Sequence, residues 1–511
     1  MAKKKHIVPW HEVDRYLAGL ETTEHHCIEV QREAIPLIFL PGIMGTHLRL
    51  AGTDGTGKKD GVPNMRWNPS DKGWALRRLV LANGADRRRL LIGQPHERFD
   101  PDYLEPDEAI PPGSGWKGIM TAYHVFLQLL REHKWGPLNK HFEFPVYALG
   151  FNWTADIKAS APQMLKRIDD IIKESKAITG YCEKAILITH SMGGIMARAI
   201  SELAGGRDRI AGIVHGVQPV NGAPAAYWRM KAGFEGTDNA GILQRALGNN
   251  GEKVTAVLGN IPGGLELLPN KVHRTNAGHA EWLTVTEDGK PTLALPVKDP
   301  YLEIYRVPAE VVPDGKAAPS SNSYWGLVDP SLLNPQRPKR EGGDENDLLA
   351  DDLDEEWALY LKKLAMAEAL HDALNPPNAP PAQHPQTLCL AGTGHKTADV
   401  IELQVETRRL PWNPDPYPNQ GFRGSIRNDE GERRKVILQD PAGDGDETVV
   451  LSSGTALNTD QRPSPGDRPP LKVKHQSAFE DEAVQEWAFE AVKAIVKHRY
   501  YEQRKASEES K

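Results

Sequence analysis

Residues 185–194 read Ala-Ile-Leu-Ile-Thr-His-Ser-Met-Gly-Gly, and they carry the strongest structural signal in the chain. An apolar run stops at a turn centred on Ser191, and apolar residues at helical spacing follow at once over 195–203. A strand, a tight turn with a central serine and a helix together form the context of a nucleophile elbow, which holds the serine oxygen clear of the backbone. Such a turn is strained and needs small neighbours, which Gly193 and Gly194 provide.

Position 189 departs from the common pattern of such turns. The usual motif is Gly-x-Ser-x-Gly, and Thr189 replaces the first glycine with another small residue. The alternative interpretation is an ordinary buried strand that enters a helix, with Ser191 as the N-cap. The helix N-terminus behind Ser191 directs free N–H groups towards any anion that forms there.

Composition and charge limit the class of protein. The chain has 511 residues and a formal net charge of −7, which argues against a general nucleic-acid binder. Its three cysteines, Cys27, Cys182 and Cys389, match neither a disulfide framework nor a zinc site, so a reducing compartment of synthesis is expected. The basic start precedes too short an apolar stretch for a cleaved signal peptide, and no run suits a membrane span. The protein is therefore expected to be cytoplasmic when made.

Short apolar runs alternate with helical patterns along the chain. Buried parallel strands are indicated by the runs at 35–40, 145–149, 185–188, 210–220 and 387–391. A capping-box pattern, Ser160-x-x-Gln163, predicts the start of one intervening helix. Alternating strands and helices imply parallel strands with right-handed crossovers. The predicted fold class is α/β, with a mostly parallel sheet covered by helices on both faces.

The long segments between these runs predict insertions. Residues 34–224 are expected to form the first part of the core, with an insertion at 47–118. Residues 386–500 are expected to form its second part, with a hairpin insertion at 407–438. Residues 225–385 are too long for a simple crossover and are predicted to form a large cap or lid.

The most basic stretch lies in the insertion at 47–118. It comprises Arg77, Arg78, Arg87, Arg88 and Arg89. Such a cluster suits phosphate head-groups, but a solvated charged face is the favoured interpretation.

A glycine-rich loop at 41–46 follows the first predicted strand. Backbone N–H groups in this place lie beside the elbow and form part of an oxyanion hole in α/β-hydrolases. Taken alone, the loop is better explained as a simple tight turn.

Candidates for the partners of the serine follow it in the chain. A serine nucleophile needs a base, the base needs an acid, and in α/β-hydrolases the order is serine, acid, histidine. The loop at 443–449 offers Asp444 and Asp446, and His475 precedes the final amphipathic helix. The loop is also open to interpretation as a solvated turn or a calcium loop, although the EF-hand spacing is not met. His475 has the alternative of being a surface histidine.

Five stretches carry a family resemblance: 41–45, the elbow, 221–224, 444–449 and the segment around His475. The sequence resembles α/β-hydrolase lipases of the lecithin:cholesterol acyltransferase and lysosomal phospholipase type. It is also similar to bacterial lipases that share the Thr-His-Ser-Met-Gly-Gly elbow. The resemblance implies the α/β-hydrolase fold, with large cap insertions added to it.

The same resemblance implies the roles of individual residues. Carried over by position, Ser191 is the nucleophile, Asp446 the orienting acid and His475 the base. The backbone N–H groups of Ile43 and Met192 are the implied oxyanion donors. No metal or other cofactor is implied, and calcium has no clear motif.

A narrower resemblance concerns the middle of the chain. The stretches at 217–224 and 263–269 are similar to antibacterial lipase effectors of type VI secretion systems. This likeness implies a phospholipase toxin that reaches a target cell's periplasm. The implied partners are a lipid substrate or membrane surface, an immunity protein and a component of the secretion apparatus, with no nucleic acid.

Several alternatives stay open on the sequence. An enzyme of the same fold can pass the acyl group to another alcohol, as an acyltransferase, or can cleave a soluble ester. A different class of protein would be a non-catalytic binding or adaptor protein on a hydrolase scaffold.

Overall fold

A computed structural model describes residues 4–20, 26–93, 104–106, 116, 118–234, 248–308, 323–335, 348–406, 424–427, 433–457 and 470–509. Parts of the predicted insertion 47–118, of the cap at 225–385 and of the hairpin insertion 407–438 lie outside these residues.

The centre of the molecule is a sheet of five parallel strands. The strands are β1 (Leu37–Leu40), β2 (Val146–Ala148), β3 (Ala185–His190), β4 (Ile210–Gly216) and β5 (Thr387–Leu390). Their order across the sheet is β2-β1-β3-β4-β5, and all four pairings are parallel. The direction in which strands are added reverses between β1 and β3. The carboxyl ends of these two strands therefore border the crevice in which ligands bind in open α/β sheets.

The longer helices are α1 (Gly84–Leu91), α2 (His124–Glu132), α3 (Ile157–Thr179), α4 (Met192–Arg198), α5 (Pro224–Ala232), α6 (Gly251–Leu258), α7 (Leu348–Leu374) and α8 (Glu482–Glu509). Short helices span Val13–Ala18, Lys72–Ala75, Pro262–Leu265 and Leu451–Gly454. None of the described helices is long and apolar enough to cross a membrane.

Helices cover both faces of the central sheet. Along β1, Ile38 and Leu40 belong to a core shared with α3 and α4, whereas Leu37 and Phe39 belong to a second core shared with α2 and α8. Alternate residues of a strand point to opposite faces, so a fully apolar strand requires a cover on each side. The predicted fold class is confirmed in this respect.

The capping-box prediction for α3 is wrong. The helix begins at Ile157, and the side chain of Asp156 accepts hydrogen bonds from the N–H groups of Lys158 and Ala159. The Ser160 hydroxyl donates to the Asp156 carbonyl from within the first turn. Asp156 is an equally good N-cap residue, and it lies nearer the end of the preceding loop.

A second sheet joins two distant parts of the chain. Its strands lie in the order Lys290–Leu295, Leu283–Glu287, Ile401–Glu406, Arg433–Leu438 and Gly424–Arg427. Leu283–Glu287 pairs in parallel with Ile401–Glu406, and the other pairings are antiparallel. This sheet therefore crosses the boundary predicted at residue 385, because it combines strands from before and after β5.

The remaining strands form small sheets. Their pairings are Lys4–Pro9 with His26–Gln31, Lys58–Lys59 with Val62–Pro63, Glu33–Ala34 with Phe142–Glu143, and Leu48–Leu50 with both Met65–Trp67 and Leu104–Pro106. Two further pairs, Gly392–Thr393 with Leu471–Lys472 and His395–Thr397 with Gly443–Gly445, lie next to the candidate site.

Two members of the arginine cluster in the first insertion are not solvated. Arg87 and Arg88 are buried on α1. Arg87 donates to the Leu79 carbonyl, and Arg88 donates to the Leu333 carbonyl over 3.1 Å. Arg88 also forms an ion pair with Glu356 of α7 at 3.5 Å. These side chains are therefore internal supports, and the expectation of a solvated face is wrong for them.

Candidate active site

The turn after β3 has the backbone of a nucleophile elbow. Ser191 adopts φ 52° and ψ −122°, a region that non-glycine residues rarely occupy. Its N–H donates to the Gly216 carbonyl of β4 over 3.0 Å, and its carbonyl accepts from the Gly194 N–H over 2.9 Å. These two bonds hold the strained residue between the strand and α4.

Gly193 allows α4 to approach β1. A Cβ atom at this position would lie 2.6 Å from the Pro41 carbonyl oxygen and closer still to that of Leu40. Both are main-chain atoms at the end of a buried strand, so they have no room to move.

We expect Gly193→Ala to destabilise the protein by roughly 3 kcal/mol, because overpacking against a rigid backbone is not relieved by a side-chain rotation. Urea unfolding of the variant would measure this loss. Gly19→Ala is the control, since its Cβ would meet nothing closer than 3.8 Å, and it should change stability by less than about 0.5 kcal/mol. A Gly193→Ala protein as stable as the wild type would contradict this account of the elbow.

Thr189 has a structural partner that explains its hydroxyl. It is fully buried on β3 and lies opposite His215 of β4 in the strand register. Its Oγ1 lies 2.9 Å from His215 Nδ1. A threonine is therefore accommodated where a glycine is usual, because its polar atom has a partner inside the sheet.

The structure brings Ser191, His475 and Asp446 into one hydrogen-bonded chain. Ser191 Oγ lies 2.8 Å from His475 Nε2, and His475 Nδ1 lies 2.8 Å from Asp446 Oδ2. All three side chains are buried, with exposed fractions of 4%, 3% and 0% respectively. A carboxylate only accepts hydrogen bonds, so Nδ1 carries a proton and Nε2 of a neutral ring is left to accept from the serine hydroxyl.

The two aspartates of the 443–449 loop have different partners. Asp446 Oδ1 accepts from the N–H groups of Thr448, at 3.0 Å, and Val449, at 2.6 Å, which leaves Oδ2 for the histidine. Asp444 instead accepts from the Thr393 hydroxyl and from the Gly394 N–H. Among the described residues, no group of three or more His, Cys, Asp or Glu side chains is placed to hold a metal ion.

The N–H groups of Ile43 and Met192 are oriented by two matching turns. The Gly42 carbonyl accepts from the Gly45 N–H over 3.0 Å, as the Ser191 carbonyl does from Gly194. In a trans peptide the N–H points away from the carbonyl of the same unit, so both N–H groups face out of their turns. Within the described part of the chain, neither N–H has an acceptor. Both are thus free to meet an anion.

The loop that carries Ile43 lies against the elbow. A Cβ atom on Gly42 would lie 3.1 Å from Ser191 Cβ and 2.8 Å from His190 Nδ1. Met44, which follows Ile43, has φ 64°, and its carbonyl accepts from Trp67 Nε1 over 2.7 Å. The loop therefore packs against the elbow at Gly42 and is hydrogen-bonded to Trp67 at Met44.

Sequence reasoning missed two polar residues that contact this site. His190 Nε2 lies 2.8 Å from the His475 carbonyl oxygen, and His190 Nδ1 lies 2.8 Å from the Tyr123 hydroxyl. His190 was visible as part of the elbow motif, but nothing in its spacing signals a contact with His475. Tyr123 matches the apolar face of a helical pattern, so its hydroxyl gives no signal of its own.

Comparison with known proteins gives a likeness to solved structures. No family model matches the chain, and no curated protein matches it either. The chain is similar to one in a structure titled "The crystal structure of Tle4-Tli4 complex", at 23% identity and a TM-score of 0.64, with 91% of this chain and 99% of that chain covered. This likeness concerns the fold.

Two forms of a Bacillus licheniformis lipase, BlEst2, also match, each with a TM-score of 0.19. The mature form has 11% identity and covers 45% of this chain and 62% of that one. The propeptide form has 10% identity, with 81% and 70% covered. At that TM-score neither match carries an argument. The parallel sheet, the elbow after β3 and the similarity to the Tle4 complex together give the chain the α/β-hydrolase fold.

Proposed function

We propose that this protein is a serine carboxylic-ester hydrolase that acts on lipids, with phospholipids as the substrate class. The observation that carries the proposal is the buried chain from Ser191 through His475 to Asp446, mounted on a strained elbow. A strained backbone persists only where the surrounding structure enforces it, and such positions cluster at active sites.

The proposed reaction proceeds through an acyl-enzyme. Ser191 Oγ attacks the ester carbonyl carbon while His475 Nε2 takes the hydroxyl proton, and Asp446 stabilises the resulting imidazolium. The N–H groups of Ile43 and Met192 donate to the tetrahedral oxyanion. When the C–O bond of the ester breaks, His475 returns its proton to the departing alkoxide. Water then attacks the acyl-serine by the same route, which releases the fatty acid and restores the serine hydroxyl.

Apolar side chains pack next to the nucleophile, as a site for a lipid substrate requires. Met192, directly after Ser191, is fully buried, and its Cε would lie 2.9 Å from a Cβ placed on Gly263. Gly263 belongs to the short helix Pro262–Leu265, inside the segment predicted to be the cap, and packs against the Trp153 backbone. A lipid chain prefers such an environment to water.

The proposal extends to biology and partners. The resemblance to type VI lipase effectors and the fold shared with a protein solved as a complex with Tli4 support an antibacterial effector that is paired with an immunity protein. On this proposal the effector is carried by a secretion apparatus into the periplasm of a target cell, where membrane phospholipid is the substrate.

The test is a product analysis on vesicles of mixed phosphatidylethanolamine and phosphatidylglycerol, with a long-chain alcohol added as acceptor. We expect free fatty acid and lysophospholipid, together with labelling of Ser191 by a fluorophosphonate probe. Acyl ester formed on the added alcohol would favour the acyltransferase alternative. Hydrolysis of short soluble esters without attack on vesicles would favour a soluble-ester hydrolase. A protein without labelling or turnover would instead be a non-catalytic scaffold.

A further inference from the structure

We propose that His190 and Tyr123 are positioning residues that hold the base against the elbow through a second hydrogen-bonded chain, which contains no triad side chain. This inference rests on the proposed function, since it assigns how the hydrolytic site keeps its geometry. The chain runs from the Gly42 N–H through the Tyr123 hydroxyl and the His190 ring to the His475 carbonyl.

The direction of each bond follows from the atoms involved. The His475 carbonyl only accepts, so His190 carries its proton on Nε2. The ring is neutral, because burial and the neighbouring His475 lower the pKa of His190 to about 3. Nδ1 is therefore an acceptor, and the Tyr123 hydroxyl donates to it. The tyrosine oxygen in turn accepts from the Gly42 N–H, at 3.5 Å. Every donor in the chain thus has an acceptor.

This chain fixes the main chain of the base from the nucleophile's side. His475 donates its own N–H to the Asp446 carbonyl over 2.8 Å, and its carbonyl accepts from His190 over 2.8 Å. The main chain of His475 is thus hydrogen-bonded to Asp446 on one side and to His190 on the other. A shift of about 1 Å between reacting groups costs on the order of 100-fold in rate. The position of His475 relative to Ser191, which His190 helps to fix, therefore matters for turnover.

Aromatic packing keeps the two rings in place. His190 meets Phe479 edge-on at 5.9 Å between ring centres, and Tyr123 lies 4.9 Å from Phe39. Phe39 and Phe479 contact each other at 5.4 Å, which closes the cluster. His190 is 2% exposed and Tyr123 7% exposed. Water therefore has little access to replace a lost partner in this cluster.

Two replacements of His190 separate its two hydrogen bonds. The glutamine amide nitrogen lies about where imidazole Nε2 lies, so His190→Gln retains a donor for the His475 carbonyl. The asparagine amide ends near the position of Nδ1, so His190→Asn retains an acceptor for Tyr123 but loses the bond to the base. The two variants are matched in polarity and differ in which partner they reach.

The experiment measures kcat and KM of both variants on a short-chain p-nitrophenyl ester, with thermal unfolding recorded alongside. We expect His190→Asn to lose about 10- to 100-fold in kcat with KM changed less than about threefold, and His190→Gln, which loses only the bond to Tyr123, to lose about 3- to 10-fold. Equal kcat values in two folded variants, whether both high or both low, would overturn the inference.

Tyr123→Phe decides the outcome if His190→Asn does not fold, since it keeps the ring and removes only the hydroxyl. A kcat lowered about 3- to 10-fold at unchanged KM supports the inference, and an unchanged kcat overturns it. Wild-type turnover and its loss in Ser191→Ala are measured in the same assay. An inactive wild type would therefore count against the proposed function, whereas an active wild type with unaffected variants would count against the positioning chain alone.

Discussion

Ser191→Ala is expected to lower kcat for ester hydrolysis by about 10⁶-fold, the loss typical of removing the nucleophile from a serine triad. The other parts of the site would remain in place, because in the described part of the chain the serine side chain bonds to His475 alone, and its backbone bonds do not depend on it. A residual rate above that in water is expected from the oxyanion donors and from substrate binding.

The measurement is steady-state release of fatty acid, with fluorophosphonate labelling of the same preparations. Ser160→Ala is a suitable control, because among the described residues the Ser160 hydroxyl bonds only to the Asp156 carbonyl, within the first turn of α3. The control should keep both labelling and turnover. Turnover near the wild-type rate in a folded Ser191→Ala protein would remove this serine from the mechanism.

Asp446→Asn is expected to lower kcat by about 10⁴-fold, because it changes which ring nitrogen of His475 carries the proton. The N–H groups of Thr448 and Val449 both donate to Oδ1, so the amide oxygen of an asparagine must take that position. The amide nitrogen is then forced towards His475 Nδ1 and donates to it. The histidine proton moves to Nε2, which leaves no lone pair to accept the Ser191 proton.

The matched control for this change is Asp444→Asn, two residues away. Asp444 interacts with Thr393 and Gly394 and has no contact with His475 among the described residues. We expect its kcat to stay within about tenfold of wild type. If Asp444→Asn lowered kcat more than Asp446→Asn does, Asp444 and not Asp446 would be the acid that orients His475.

The core of the fold could be predicted because its signals are local. A continuous apolar run identifies a strand covered on both faces, and the turn at Ser191 combines small residues with an abrupt change of periodicity. The choice between Asp444 and Asp446 came from the family resemblance and not from local pattern. It depends on which carboxylate the neighbouring N–H groups leave free, and that is decided by the folding of the 443–449 loop.

Other features depend on partners that are remote in sequence. Arg88 is buried because Leu333 and Glu356 lie beside it, and neither position is marked by its spacing from α1. The hydroxyl of Tyr123 gains its function only from His190, and His190 from a carbonyl 285 residues later. Every residue has a main-chain carbonyl, so the pattern of side chains along the sequence does not indicate which carbonyl will accept a hydrogen bond. Such contacts therefore cannot be predicted from the sequence.

The second sheet has a consequence for how the protein is made on the ribosome. Leu283–Glu287 must wait for Ile401–Glu406, more than a hundred residues later, before its parallel partner exists. At roughly 5–20 residues per second this delay is on the order of ten seconds. Asp446 and His475 emerge later still, well after the elbow. On the proposed mechanism, a nascent chain therefore carries Ser191 for many seconds before Asp446 and His475 are available to activate it.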